Sequence, residues 1–292
     1  MKARFKLCVL SALLVAFSVQ AFAADEMSVE ELFSKVKKNT DKIKNMQALI
    51  TRKELPSGDI MFTGKFFYKP PMSRIDFTGP DEFEGAGLSA ISGPDGIVTV
   101  DKDGYALGSA AQSGMGGVFS HIAGDMTDFG DASVTVAPAE DYNKDGKIRY
   151  YEVSIRQREA SAEELAPIEH QKQFMRELAR GGQMPPDAYK QWEAYSRKRS
   201  PSVGASSDCA FCDRDRDIIV DYERGLISEI YVLADGDVLE SVKYHYVMAG
   251  GIYVPSRVEF SDGEDEFEIT LSAIRASSPI PDRIFRYKDS SN

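Results

Sequence analysis

The stretch IMFTGKFFYKPPMSRIDFTGP, residues 60–80, carries the clearest structural pattern in the chain. Every second residue is apolar or glycine on both sides of a Lys-Pro-Pro break, and the residues that share this phase are Phe62, Gly64, Phe66, Tyr68, Ile75 and Phe77. A period of two is typical of strands with one buried face. Because proline cannot donate to a strand ladder, we predict two long strands, 60–69 and 72–78, joined at a corner.

An amphipathic helix is predicted just before these strands. Ser28 has the position of an N-cap, and Glu31 follows three residues later, as in a capping box. The apolar stripe of this helix consists of Val29, Leu32, Phe33, Val36 and Ile43. A stripe of this width needs a surface to cover, and the nearest one is the apolar face of the strands.

The first 23 residues have the features of an export signal. A basic start is followed by the apolar run Leu7–Val19 and by the small-x-small site Ala21–Ala23. The run is too short for a stable membrane span, and Cys8 precedes most of it, so Cys8 is not placed to be a lipidated first residue. We expect a soluble, periplasmic or extracellular chain that begins at Ala24; the alternative is a retained anchor.

The charge of the chain excludes some classes of partner. Without the predicted export signal, 32 Lys and Arg residues stand against 46 Asp and Glu residues, a net charge of −14. So acidic a chain is a poor partner for nucleic acid and for an anionic membrane surface. The remaining 269 residues suffice for one large β domain with an insertion, or for two small domains.

Turn signals and helix formers divide the chain into four parts. Strands alternate with Gly-containing turns to residue 156, apart from an ambiguous Gly-rich segment, 111–130. Two helices and a Ser-rich linker follow, and strands with short hairpin turns then resume as a meander. The predicted parts are an export signal (1–23), the first part of a large curved sheet (24–156), a helical insertion with its linker (157–207) and closing strands (208–292).

This organisation resembles the periplasmic lipoprotein-carrier superfamily, the LolA-like group of outer membrane lipoprotein-sorting proteins. The likeness lies in the opening helix followed by GKFFYKPPMSRIDFTGP (64–80), in SGPDGIVTVDKDG (92–104) and in the final meander from Asp221 to Phe260. The resemblance implies a mainly β fold with α: an unclosed antiparallel β-barrel, or half-barrel, with an N-terminal lid helix. Here it would carry a two-helix insertion. The family's apolar cavity lies between the sheet and the lid.

The resemblance also implies a non-enzymatic protein that binds lipid, acyl chains or lipoproteins. The side chains expected to line its cavity are Leu32, Phe33, Val36, Phe62, Phe66, Tyr68, Ile75 and Phe77. Two departures favour membership of the superfamily over identity with the carrier: Pro70 stands where the carriers have an arginine before the corner proline, and the insertion is foreign to them. The alternative is an envelope-stress sensor or structural module whose insertion binds an envelope protein.

Residues 141–152 match a calcium-binding loop at five positions. Asp141, Asn143, Asp145 and Glu152 would supply oxygen ligands, and Gly146 would allow the sharp turn. Strands are predicted on both sides instead of helices, so the alternative is a hairpin whose Asp-Gly turn only resembles such a loop. Calcium is the one cofactor that the sequence indicates.

Cys209 and Cys212 form a CxxC motif in a chain expected to meet an oxidising compartment. A local disulfide is the preferred interpretation, with a redox or metal site as alternatives. No catalytic motif accompanies the three histidines, His121, His170 and His245, so we expect structural roles for them and no enzyme. Aromatic residues at Tyr189, Trp192 and Tyr195 predict either a partner-binding face or helix packing.

Overall fold

The computed structural model describes residues 27–93, 96–109, 129, 131–158, 170, 173–185, 188–189, 214–234 and 236–288. Helix α1 spans Val29–Thr40. The strands are β1 Met46–Leu55, β2 Ile60–Lys69, β3 Met72–Gly79, β4 Ser89–Gly93, β5 Gly96–Val100, β6 Ala106–Ser109, β7 Ser133–Pro138, β8 Tyr150–Arg156, β9 Asp215–Asp221, β10 Leu226–Ala234, β11 Asp237–Ala249, β12 Ile252–Ser261 and β13 Glu266–Ala276. Short 3-10 helices lie at Glu140–Tyr142 and Asp282–Phe285.

These thirteen strands form one antiparallel sheet. Their order is β6-β5-β4-β3-β2-β1-β13-β12-β11-β10-β9-β8-β7. The chain therefore runs outward from β1 to the edge strand β6, resumes at the opposite edge with β7 and returns to the centre, where β13 pairs with β1. Because β6 and β7 do not pair with each other, the barrel is unclosed, and the predicted half-barrel is confirmed.

The predicted corner between β2 and β3 is present. Phe66 pairs with Ile75 across the two strands, and Gly64 pairs with Phe77. Along β2, buried residues alternate with more exposed ones, as the period of two predicts. Glycine at position 64 has a steric reason, because a Cβ atom there would lie 2.5 Å from the carbonyl oxygen of Asp76.

Helix α1 begins as the sequence predicts. The Ser28 Oγ accepts a hydrogen bond of 3.1 Å from the N–H of Glu31, which satisfies one of the free donors of the first turn. The helix ends at Thr40, so Ile43 lies in the turn that follows, where it is nonetheless buried. The apolar stripe is thus longer than the helix that carries most of it.

Strand β4 was not predicted. Its sequence, SAISG, is short and mostly small, and it places a single large apolar side chain, Ile91, in the buried core. In the predicted insertion, residues 170, 173–180 and 188–189 are helical, and the remainder of both predicted helices lies outside the described residues. The insertion leaves the sheet between β8 and β9, which pair with each other.

The antiparallel order sorts the connections between two ends of the sheet. We call one the corner end; it has the turn at Pro70–Pro71, the β7–β8 loop and the β9–β10 turn. The opposite end, the insertion end, has the β1–β2 turn, the β12–β13 turn and the ends of β8 and β9 from which the insertion departs. The two ends can therefore serve different purposes.

A C-terminal strap, residues 277–288, runs from the corner end of β13 to the turn between β5 and β6. Lys69 forms an ion pair with Asp282, and Arg74 donates a hydrogen bond of 2.6 Å to the carbonyl oxygen of Ile284. Further along, the backbone of Lys288 exchanges hydrogen bonds with Gly104 and Ala106 beside β6. The strap thus links the centre of the sheet to its β6 edge.

Candidate functional site

The side chains predicted to line a cavity are brought together on one face of the sheet. We call this the inner face: it carries the main core cluster and is covered in part by α1. Phe77 packs partly buried against that cluster, and the other seven predicted residues are buried members of it: Leu32, Phe33, Val36, Phe62, Phe66, Tyr68 and Ile75. A single apolar layer therefore joins the helix to the β2–β3 pair.

Helix α1 is fixed over the β7–β10 side of the inner face. It contacts β7 and β10, and the ring of Phe33 lies 5.7 Å from that of Phe129. The Lys35 Nζ lies 3.7 Å above the centre of the Tyr222 ring. At Gly225, a Cβ atom would lie 2.8 Å from the carbonyl oxygen of Lys35, so only glycine allows the β9–β10 turn so close to the helix.

Among the described residues, side chains beneath the helix pack closely on the inner face. Leu32 is 0% exposed and Phe66 is 1% exposed, so neither faces a water-sized space. A small cavity lies at the corner end between α1 and the tyrosines Tyr244, Tyr246 and Tyr253. The space in which the centre of a water molecule fits has a volume of about 20 Å³. This volume suits about one water molecule. A longer ligand at this place must displace α1 or rotate the tyrosines.

The tyrosines of the inner face are strongly desolvated. Burial, with a smaller contribution from the Asp41 charge, raises the pKa of Tyr68 to about 12. Burial also raises the pKa values of Tyr244 and Tyr246. The Tyr246 hydroxyl donates a hydrogen bond of 2.8 Å to the carbonyl oxygen of Ile227, which satisfies this group inside an apolar layer.

Arg52 brings a positive charge into this apolar layer near the insertion end, and it was not among the predicted site residues. Arg52 follows Met46, Ala48 and Ile50 in the inward phase of β1. Its guanidinium carbon lies 4.0 Å above the centre of the Phe267 ring. A charge in the apolar phase of a strand is a signal that the sequence contains, and it could have been found there.

The calcium-like loop joins β7 to β8 at the corner end. The Asn143 side-chain oxygen accepts hydrogen bonds from the N–H groups of Arg149 and Tyr150, and its amide nitrogen donates to the carbonyl oxygens of Ala139 and Tyr150. Asp145 accepts a hydrogen bond of 2.9 Å from Arg149. These hydrogen bonds hold the loop together without a metal ion.

The acidic members of the loop are not gathered around one point. Asp141 lies in a 3-10 helix, whereas Glu152 lies within β8. No three Asp, Glu, His or Cys residues of the described part of the chain are grouped so that they could hold a metal ion. Calcium binding by this loop stays a prediction.

Several predicted residues lie outside the described ranges, among them the export signal, His121, Trp192, Tyr195, Cys209 and Cys212. Of the remaining histidines, His245 is placed away from the core, on the outer face. Its Nε2 lies 3.0 Å from a carboxylate oxygen of Glu259 and 3.0 Å from an Arg257 nitrogen. None of the helices among the described residues has the length and hydropathy needed to cross a bilayer.

Known sequences and known structures give different results. No protein-family model matches the chain, and no curated protein sequence matches it significantly. Among known structures, the chain is similar to the crystal structure of a domain from Vibrio parahaemolyticus, with a TM-score of 0.52 and 7% identity. That domain is provisionally named an outer membrane lipoprotein-sorting protein domain. The match covers 88% of this chain and 97% of that one. The fold is that of an outer membrane lipoprotein-sorting, or LolA-like, domain.

A DUF1329 family protein from Desulfovibrio piger matches over the same shares of the two chains, with a TM-score of 0.49 and 10% identity. The match to the Vibrio domain confirms the resemblance to the LolA-like group for the fold. At 7% identity the likeness of the Vibrio domain concerns the fold alone, so residue roles have to be argued from this chain.

Proposed function

We propose that the protein is a lipid-binding protein of the cell envelope. In this proposal the inner face takes up an acyl chain, either of a free lipid or of a lipoprotein, and α1 acts as a movable lid. The protein would be exported by residues 1–23 and would carry out no catalysis. The lipoprotein-sorting name of the Vibrio domain supports this class of ligand only through the shared fold.

The observation that carries the proposal is the continuous apolar layer between α1 and the sheet. It runs from the helix across strands of both halves of the sheet, from Phe66 on β2 to Val153 on β8. Each methylene group of an acyl chain that moves from water into such a layer contributes about 0.8 kcal/mol, from which the cost of displacing packed side chains is subtracted. Binding therefore needs few specific contacts along the chain of the ligand.

A second candidate function rests on the filled inner face. Because the predicted lining residues are packed against one another, the same fold also suits an envelope-stress sensor or structural module that binds no lipid. In that case the insertion between β8 and β9 is the expected site for an envelope protein partner. Uptake of lipid separates this candidate from the first.

The decisive experiment uses the exported full-length chain purified without detergent. Organic extracts of the protein are analysed by mass spectrometry, and the extracted protein is then titrated with a fluorescent fatty-acyl probe. We expect a copurified lipid and a saturable rise in fluorescence. A folded protein that carries no lipid and takes up no probe would replace the carrier proposal with the sensor candidate.

The same preparation tests export. The N-terminus of the soluble protein should be Ala24, since the site Ala21–Ala23 precedes it. A membrane-bound chain that retains residues 1–23 would contradict this part of the proposal.

A further inference from the structure

Arg52 lies on the inner face because of its place in β1. Directly opposite residues of antiparallel strands share a face. Arg52 pairs with Phe62 on β2 and with Ile269 on β13, and both partners are buried members of the core cluster. The Arg52 side chain is therefore held on the apolar side of the sheet, in its last few positions before the insertion end.

Phenylalanine rings surround this position. On the β2–β3 side, the Phe62 ring lies 5.2 Å from Phe77 and 5.8 Å from Phe83. On the β12–β13 side, the rings of Phe260 and Phe267 stack at 4.7 Å, and the Arg52 guanidinium lies over Phe267. The ring face attracts the guanidinium cation. It cannot, however, accept hydrogen bonds from the several N–H groups of the guanidinium as an anion does.

The guanidinium is not fully satisfied by the protein. Its Nε atom is buried and has no hydrogen-bond partner in the described part of the chain. Burial lowers the pKa of Arg52, and the charges of Asp265 and Glu54 oppose this effect without a hydrogen bond. Because arginine stays protonated in proteins, a partly desolvated charge with an unbonded Nε–H remains, and an anion beside it would offset the cost of its burial.

Other arginines of the sheet differ from Arg52 in this respect. Arg74 donates to Asp76, Ser89 and the carbonyl oxygen of Ile284. Arg257 reaches Glu259 and Glu268 on the outer face. Arg216 on β9 is a second inward arginine near the insertion end, where it pairs with Ile155 of the core cluster. Arg52 is distinguished from it by a position between two groups of aromatic rings.

We propose that Arg52 binds the anionic headgroup of an amphiphile, a carboxylate or a phosphate, whose acyl chain lies on the phenylalanine rings of the inner face. The inference rests on the proposed lipid-binding function and deepens it, because it names the ligand class. A planar guanidinium forms two parallel hydrogen bonds to either anion. Acyl groups joined by ester or amide bonds, as at the N-terminus of a lipoprotein, would receive no such contact.

The test compares two probes that differ only in charge: cis-parinaric acid and its methyl ester, each titrated into the mature full-length protein at pH 8. The wild type should bind the acid at least tenfold more tightly than the ester. Arg52→Met removes the charge and leaves an apolar side chain of similar length, so it should lose this tenfold preference and bind the ester as before. Arg52→Gln is the second variant if the first is poorly soluble.

Lys53→Gln is the matched control. Lys53 is the next residue of β1 and pairs with Glu268 on the outer face, so its loss should leave the affinity for both probes unchanged. Competition with lysophosphatidate and with the matching monoacylglycerol shows whether a phosphate is accepted in place of the carboxylate. Melting temperatures without ligand provide a further readout, because Arg52→Met removes a desolvated charge and should not lower the value.

The outcomes are distinguishable. Equal binding of acid and ester by the wild type, or an equal loss of both in Arg52→Met, would overturn the role of Arg52 and leave lipid binding intact. Binding of neither probe would overturn the lipid-binding function and the headgroup site with it.

Discussion

Tyr222 and Glu31 connect the sheet to the helix that covers it. The Tyr222 hydroxyl donates a hydrogen bond of 2.9 Å to the Glu31 carboxylate, and the ring of the same tyrosine lies under the Lys35 ammonium group. Both contacts are at the surface, and both must break if α1 swings away from the β9–β10 turn. Tyr222 is therefore placed to influence how fast the inner face opens.

The first prediction concerns this contact. Tyr222→Phe removes the hydrogen bond and keeps the ring under Lys35, so we expect several-fold faster uptake of an acyl probe and a small fall in the melting temperature. Stopped-flow fluorescence measures the rate. Tyr105→Phe, on the exposed β6 edge, is the control, and an unchanged rate in Tyr222→Phe would show that α1 is no lid.

A second prediction separates the two faces of β2. Phe66→Glu places a carboxylate in the apolar layer, where it has no partner, and should abolish binding of a fatty-acyl probe. Lys65→Glu changes a neighbouring exposed position and should leave binding largely intact. Circular dichroism has to show that Phe66→Glu is folded, because a buried charge can also unfold the sheet. Normal binding by folded Phe66→Glu would exclude this part of the inner face as the site.

The third prediction is a loss of stability at high pH. Since the pKa of Tyr68 is raised to about 12 in the folded protein, its protonated form contributes stability that is complete below about pH 10. This contribution is lost as the pH rises through the folded value. Buried Tyr244 and Tyr246 act in the same direction.

Absorbance at 295 nm and circular dichroism, followed together against pH, check this prediction. Ionisation of the buried tyrosines should coincide with unfolding. Between pH 7 and high pH, Tyr68→Phe should lose less stability than the wild type, because phenylalanine does not ionise. Reversible ionisation of every tyrosine in a folded protein would contradict it.

The fourth prediction concerns the β7–β8 loop. If the residues from Asp141 to Glu152 bind calcium, millimolar calcium should raise the melting temperature; a ligand at one hundred times its Kd stabilises the folded state by about 2.7 kcal/mol. Asp141→Ala should abolish the rise. Asp103→Ala, in another Asp-Gly turn, is the control. A wild type that does not respond to calcium leaves the hairpin interpretation in place.

The fifth prediction concerns the CxxC motif. In protein from an oxidising compartment, peptide mapping without reductant should recover Cys209 joined to Cys212 within one chain. Two free thiols, or one zinc ion for each chain, would instead favour the redox or metal alternatives.

Local patterns predicted much of this fold, and long-range contacts account for the rest. The alternation in 60–80 predicted both strands and their buried face. With a period of two, a shift of one residue would turn every apolar side chain to the other face, so a helix over one face fixes which residues are buried. Strand β4 was missed because only Ile91 distinguishes it from a loop. The C-terminal strap depends on Lys69 meeting Asp282 from the far end of the chain, and no local pattern indicates such a pair.

The candidate site was predicted in its apolar part alone. Aromatic and aliphatic residues reveal their face through spacing, and the spacing of β1 also puts Arg52 in the inward phase. The aromatic rings around Arg52 depend on the pairing of β1 with β2 and β13, which spacing does not reveal. The small size of the cavity beside Tyr244 and Tyr246 also depends on packing, which spacing does not determine.

Because β1 is the first described strand and β13 the last, the middle of the sheet is completed only when residues 266–276 have been synthesised. Until Glu266–Ala276 emerges, the backbone groups of Met46–Leu55 that face β13 form an open edge on which other strands can add. Each half of the sheet can grow locally, so joining them, a contact of very large sequence separation, is expected to be the slow step. The chain therefore needs protection from aggregation until β13 has paired with β1.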